Sequence, residues 1–157
     1  MIFSNFMNKN KSLTIEKTFN LAVKNHQEGK TDIAIELYNQ VLEINPKNSA
    51  AHNNLGGIFK KLKENEKAKD CFEKAIEIKP NLANAHYNLG NMFQEFGENE
   101  KAKDCFEKAI EFDPLNKRYM VAYGYALLIL NDRLKGYEYI DKVKGVIKFT
   151  PTYYKII

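Results

Sequence analysis

The stretch ENEKAKDCFEKAIE occupies residues 64–77 and recurs, letter for letter, at residues 98–111. A catalytic centre is unique by geometry, because its groups converge on one reacting atom, whereas a structural unit can be copied and stacked. An offset of thirty-four residues therefore implies a modular chain. Extending outward aligns SAAHNNLGGIFKKLKENEKAKDCFEKAIEIKP (49–80) with LANAHYNLGNMFQEFGENEKAKDCFEKAIEFDP (82–114), and Pro46, Pro80 and Pro114 mark the same interval. Within a unit, apolar or small residues recur at helical spacing in two bursts: Leu55, Gly56, Phe59 and Leu62, then Ala68, Phe72, Ala75 and Ile76. Each unit reads as two helices joined by a tight turn.

The punctuation agrees. Gly29, Lys63-Glu64-Asn65 and Gly97 fall at the inner turns, and the prolines close the second helices because the residue before proline is disfavoured in the helical region. Asn48 or Ser49, and Asn81, are the candidate N-caps. The pattern predicts helices at about 15–28, 32–44, 49–62, 66–78, 83–96, 100–112, 117–130 and 133–144. Gly56 and Gly90 allow close approach of the partner helix, Ala68 and Ala102 do the same from the other side, and Phe72 and Phe106 are expected to fill the space between successive repeats.

Composition narrows the partners. The 157 residues carry a net charge of +4 from interleaved Lys and Glu, without a block of five or six like charges, so a nucleic-acid footprint is not expected. The opening MIFSNFM has no basic residue ahead of it and runs into polar NKNK, unlike a secretory signal. The most apolar run, residues 119–130, is shorter than the roughly 20 residues of a membrane helix, so a soluble, cytoplasmic protein without membrane contact is expected. Cys71 and Cys105 sit at the same place in the duplicated block. Helices packed about 8–10 Å apart hold equivalent Cα atoms beyond the roughly 7 Å limit for a disulfide, which predicts reduced, partly buried thiols.

The chain resembles the tetratricopeptide repeat family, in the style of the repeats of O-linked N-acetylglucosamine transferase-like and bacterial members. The family pattern is met at His52, Leu55, Gly56, Phe59, Ala68, Phe72, Ala75 and Pro80, and again at His86, Leu89, Gly90, Phe93, Ala102, Phe106, Ala109 and Pro114. A looser first copy has Leu21, Ala22, Ala34, Tyr38, Val41 and Pro46, with Thr18 and Asn25 departing. A degenerate fourth has Met120, Tyr123, Gly124, Leu127, Gly136, Ile140 and Val143. The resemblance implies an all-α, right-handed superhelical solenoid of four helix-turn-helix units over residues 14–145 (repeats about 15–48, 49–82, 83–116 and 117–148). An N-terminal extension, 1–13, and an apolar C-terminal tail, 146–157, flank it.

The resemblance also implies that the first helices line a concave groove. The sixth position of successive units reads Asn20, Asn54, Asn88 and Ala122, a ladder of three amides able to bracket the main chain of an extended peptide. Three net hydrogen bonds of roughly 0.5–1.5 kcal/mol reach only millimolar affinity, so further anchors are needed, with Asn53, Tyr87, Asn91, Lys60, Lys61 and Arg118 as candidates. The carboxylate clamp of chaperone-tail-binding members calls for Lys, Asn, Asn, Lys and Arg. The matching positions read Phe19, Val23, Asn54, Asn84 and Asn88 in one register and Asn53, Gly57, Asn88, Arg118 and Ala122 in the next, so chaperone-tail binding is not expected.

His52 and His86 are expected to be buried, and with His26 they are spaced too far apart for a metal cluster. Without a phosphate loop, nucleophile elbow or isolated carboxylate pair, neither catalysis nor a cofactor is expected. The fourth first helix, KRYMVAYGYALLIL, is apolar nearly all round, which turns Val121, Tyr125, Leu128 and Ile129 toward the groove as a candidate interface. The tail VIKFTPTYYKII either caps this end through Phe149, Tyr153 and Ile156 or makes an oligomer through it. A non-catalytic adaptor that holds peptide segments or partner proteins is the preferred function. The recognition portion of a larger enzyme, such as a glycosyltransferase or iron-dependent oxygenase, is the alternative.

Overall fold

The computed structural model describes residues 2–144, with side chains over residues 13–143. Its elements are α1 (Ile2–Gln27), α2 (Thr31–Ile44), α3 (Ser49–Lys61), α4 (Asn65–Ile78), α5 (Ala83–Glu95), α6 (Asn99–Phe112), α7 (Lys117–Ile129) and α8 (Arg133–Lys144). All eight predicted helices are present, and no strand occurs among the described residues. The first differs most from expectation. It starts at Ile2 and runs 26 residues, through the span expected as an extension. Residues 2–14 hold neither proline nor glycine, so nothing local ends helix propagation before Gly29.

The turns follow the repeat. Gly29 (φ +75°), Lys63 (φ +62°), Gly97 (φ +77°) and Asn131 (φ +67°) lie at thirty-four-residue intervals and all adopt the left-handed conformation. Each turn closes with the same pair of bonds. At the second, Lys63 N donates to Lys60 O at 3.0 Å and Glu64 N to Phe59 O at 2.9 Å, a Schellman ending that satisfies the last carbonyls of the helix. Before each proline the backbone is extended in nearly one conformation: Asn45 at φ −135°, ψ 86°, Lys79 at −134°, 87°, and Asp113 at −144°, 78°. Asn48 caps α3 by accepting from Ala51 N at 3.0 Å, and Asn116 caps α7 by accepting from Arg118 N at 3.2 Å. Asn81 does not cap α5, because that helix starts at Ala83 and Leu82 stands before it.

The chain forms two compact units, Met1–Ala85 and His86–Ile157. In the first, α1 packs on α2, α2 on α3 and α3 on α4, around a core of Ala22, Ala34, Tyr38, Val41, Ala51, Leu55 and Ile58. In the second, α6 packs on α7 and α7 on α8, around Ala102, Phe106, Tyr123, Ala126 and Leu127. Phe106 packs with Tyr123, Ala126 and Leu127 of the following repeat, and Phe72 and Phe106 also fill space inside their own helix pairs. A Cβ added to Gly56 would sit 2.6 Å from the Phe72 ring, and one on Gly90 would sit 2.7 Å from the Phe106 ring. In the last pair, Ile140 takes the ring's place, with Cγ1 2.8 Å from the same point above Gly124. Glycine there is a packing requirement, since closely packed interiors tolerate no extra methyl at such distances.

Asn25, where the other copies have Phe59 or Phe93, is buried, and its amide donates to Leu21 O at 2.8 Å, which offsets the cost of a buried polar group. No helix among the described residues is long and apolar enough to cross a membrane.

Candidate functional site

In the first unit the expected site residues fall on α1 and α3. Asn20 is exposed on α1, and no hydrogen bond links it to Asn54. Asn53 and Asn54 are half-buried neighbours on α3, with Asn53 Nδ2 donating to Asn54 Oδ1 at 3.4 Å. Asn54 Nδ2 donates to the Tyr38 hydroxyl at 3.0 Å, a bond that spacing within the first helices did not reveal. Its signal lies in the second helices. Tyr38 occupies the place of Phe72 and Phe106, and its extra hydroxyl needs a partner. One Asn54 donor is therefore spent inside the fold, while its second N–H and part of Oδ1 remain for a ligand. Lys60 is half-buried and Lys61 exposed in the last turn of α3. Burial, and then the charge of Lys61, lower the His26 pKa, so the lysine acts on the imidazole at that end of the unit.

In the second unit, Tyr87, Asn88 and Asn91 are half-buried on α5 and Arg118 is exposed on α7. The Arg118 guanidinium lies 5.2 Å from the Tyr87 ring centroid, and that ring packs 5.0 Å from Tyr119 and 5.8 Å from Phe106. Tyr87 thus serves as the platform for Arg118 and rests on buried aromatic rings. On α7, Val121 is half-buried, and Tyr125 and Ile129 are about half exposed. These three, four residues apart, form one apolar line. Leu128 departs from it, because its Cδ2 packs 2.7 Å from where Gly136 would carry a Cβ, inside the α7–α8 pair. Phe149, Tyr153 and Ile156, the expected cover for this line, lie outside the described residues.

The reactive residue types are placed as structural parts. His52 is half-buried rather than buried, and its Nε2 donates to Pro46 O at 3.0 Å across the proline turn. His86 is buried against Phe112, with ring centroids 5.6 Å apart. Cys71 and Cys105 are unpaired and half-buried, and burial pushes each thiol up to about 11, far from the thiolate range at neutral pH. No group of three or more His, Cys, Asp or Glu suited to a metal occurs among the described residues. A cleft of about 320 Å³ between α6 and the last pair is lined by charges that already pair, Lys103 with Glu100 and Lys135 with Asp132.

Two family models match the chain, one described as a tetratricopeptide repeat over residues 47–114 and one as a TPR repeat over residues 25–63, together more than half of its length. The chain belongs to the tetratricopeptide repeat family. No curated protein matches it. Among solved structures, a crystal structure of MamA is similar over 90% of this chain and 82% of its own, at 24% identity and a TM-score of 0.74. PilF of Pseudomonas aeruginosa is similar over 87% of this chain and 62% of its own, at 21% identity and a TM-score of 0.76. The first TPR of Spaghetti (RPAP3), bound to the HSP90 peptide SRMEEVD, is similar over 74% of this chain and 95% of its own, at 20% identity and a TM-score of 0.70. These likenesses establish the all-α helical-repeat fold. Membership of the tetratricopeptide repeat family makes the chain a protein-interaction module.

Proposed function

We propose that the chain is a non-catalytic, cytoplasmic scaffold whose first helices hold extended peptide segments or partner proteins and which needs no cofactor. The observation that carries this is the face of α3 that bears the Asn53 and Asn54 amides and, about two turns further on, the lysines of the last turn, while the opposite side of the helix is spent on packing. Asn20 on α1 and the set Tyr87, Asn88, Asn91 and Arg118 are the further contact residues. Val121, Tyr125 and Ile129 form an apolar surface for a second protein contact, including self-association. Two half-buried thiols without a disulfide suit a reducing compartment.

The test is affinity for a partner recovered by pull-down and then purified. Asn20→Ala, at an exposed position, should weaken binding with no change in thermal midpoint. Asn54→Ala should weaken binding and also lower stability by about 0.5–1.5 kcal/mol, because the Tyr38 hydroxyl loses its partner. Unaltered affinity in both variants would show that the amides are structural only.

A further inference from the structure

Two adjacent glycines on α3 differ in what their surroundings demand. Gly56 is compelled by the Phe72 ring, 2.6 Å from the point where a Cβ would stand, whereas a Cβ on Gly57 would meet nothing within 4 Å. Gly57 is not among the positive-φ residues, so the backbone does not require glycine either. Glycine inside a helix costs about 0.5–1 kcal/mol relative to alanine. Neither packing nor conformation at this position offsets that cost, and the residue leaves an open notch on the face already proposed to meet partners.

What flanks the notch has a definite chemistry. Asn53, Gly57 and Lys61 are four residues apart and form one line along α3, rising about 6 Å per step. α3 holds no acidic residue, and its last turn carries Lys60 and Lys61. Lys61 is exposed and makes no ion pair with a described residue. On α4, Glu73 pairs with Lys69 and Glu77 with Lys74. From Asn53 to Lys61 the line spans about 12 Å, the length of roughly four residues of extended chain. Bases of a single-stranded nucleic acid would need aromatic platforms, and this line has none.

We infer that the α3 face of the first unit is a subsite for an extended acidic peptide, whose main chain lies against Gly57 between the Asn53–Asn54 amides and a carboxylate held by Lys61. This inference rests on the interaction function proposed above. It differs from the chaperone-tail clamp, whose lysine positions are absent here. Gly57 is the specificity-determining position, because any Cβ there would stand between the ligand's main chain and the helix.

The experiment uses the full chain, immobilised, and three pools of capped octapeptides that are random except for one fixed Glu, Gln or Lys, with retained peptides read by mass spectrometry. Wild type should retain the Glu pool above the Gln and Lys pools. Lys61→Gln should erase the preference for Glu over Gln. Gly57→Ala should raise the thermal midpoint while lowering retention of the Glu pool, and Gly57→Val should lower retention about tenfold, equivalent to about 1.4 kcal/mol. Stability and binding would then move in opposite directions at one residue, which a merely structural glycine does not produce. Retention that is unchanged by both Gly57→Val and Lys61→Gln would remove the subsite while leaving the peptide-binding function standing. Displacement of the Glu pool by a twelve-residue oligothymidine with higher affinity would assign the face to nucleic acid instead. Failure of wild type to retain any pool would overturn both the subsite and the proposed function.

Discussion

On α3 three equivalent outward positions read Asn53, Gly57 and Lys61, and on α7 they read Val121, Tyr125 and Ile129. The first line is polar with an open notch, and the second leaves Tyr125 51% and Ile129 52% exposed. Behind those lines the packing logic is the same. Gly56 receives the Phe72 ring and Gly124 receives Ile140. Each pair closes with a small residue opposite one bulky side chain, glycine in the last three and Ala22 beside Tyr38 in the first, and once that is met the outward residues are free to differ. Function in such a chain therefore resides in what the repeat does not need for its own folding.

The largest expected effect comes from breaking the shared part. Phe72→Ala should destabilise by about 3–5 kcal/mol and Ile140→Ala by about 2–5 kcal/mol, through lost transfer energy plus a cavity, as measured by chemical denaturation. Equal, small losses at both sites would show that the glycine pocket does not organise the pairs. Next in size, Gly56→Ala should cost about 1–3 kcal/mol by overpacking, and combining it with Phe72→Leu should cost less than the sum of the two, because the shorter side chain vacates the space the new methyl needs. Strict additivity would argue against direct contact.

The inner turns sharpen the comparison at a smaller scale. Lys63 holds φ +62°, where Gly29 and Gly97 stand at the equivalent places, so Lys63→Gly should stabilise by about 1 kcal/mol, and Asn131→Gly by less, since asparagine tolerates that region. A fall in thermal midpoint for Lys63→Gly would mean that its side chain contributes more than its backbone costs. The smallest stability effect is expected on the outward line of α7. Tyr125→Ser and Ile129→Lys, half-exposed sites, should each change stability by less than about 0.5 kcal/mol. Losses near the roughly 1.5–3 kcal/mol of a fully buried apolar side chain would show that this line is covered in solution, and mass by light scattering would then show whether a second copy covers it.

Much of the helical pairing was legible because its causes are local and periodic. A proline forces the preceding residue out of the helix wherever it occurs, and glycine accepts the left-handed turn at positions 29 and 97, so the turn at 63, where a lysine stands, and the one at 131 could be read from the thirty-four-residue spacing. Copied sequence also produced copied contacts. Lys67 pairs with Glu64 and lies over Phe59 at 5.4 Å, just as Lys101 pairs with Glu98 and lies over Phe93 at 5.3 Å. The start of α1 was not legible, because the expected boundary came from repeat register and nothing in residues 2–14 encodes a stop. For the site, the asparagine spacing was visible, but the Asn54–Tyr38 bond was not, since it joins a first helix to the second helix of the preceding pair, 16 residues away.

The sequence by itself determined the period, the helix ends and the identity of the residues that close each pair, because helix propensity, proline geometry and hydrophobic spacing all act within a few residues along the chain. Only the tertiary structure decided which of two adjacent glycines is forced and which is free. Gly56 and Gly57 are the same letter in the same helix, and the difference between them is the Phe72 ring, brought 2.6 Å from where a Cβ of one would stand and kept away from the other by the packing of α4 on α3. Steric demand of this kind belongs to side chains that meet across helices, and it comes into being only when those helices pack.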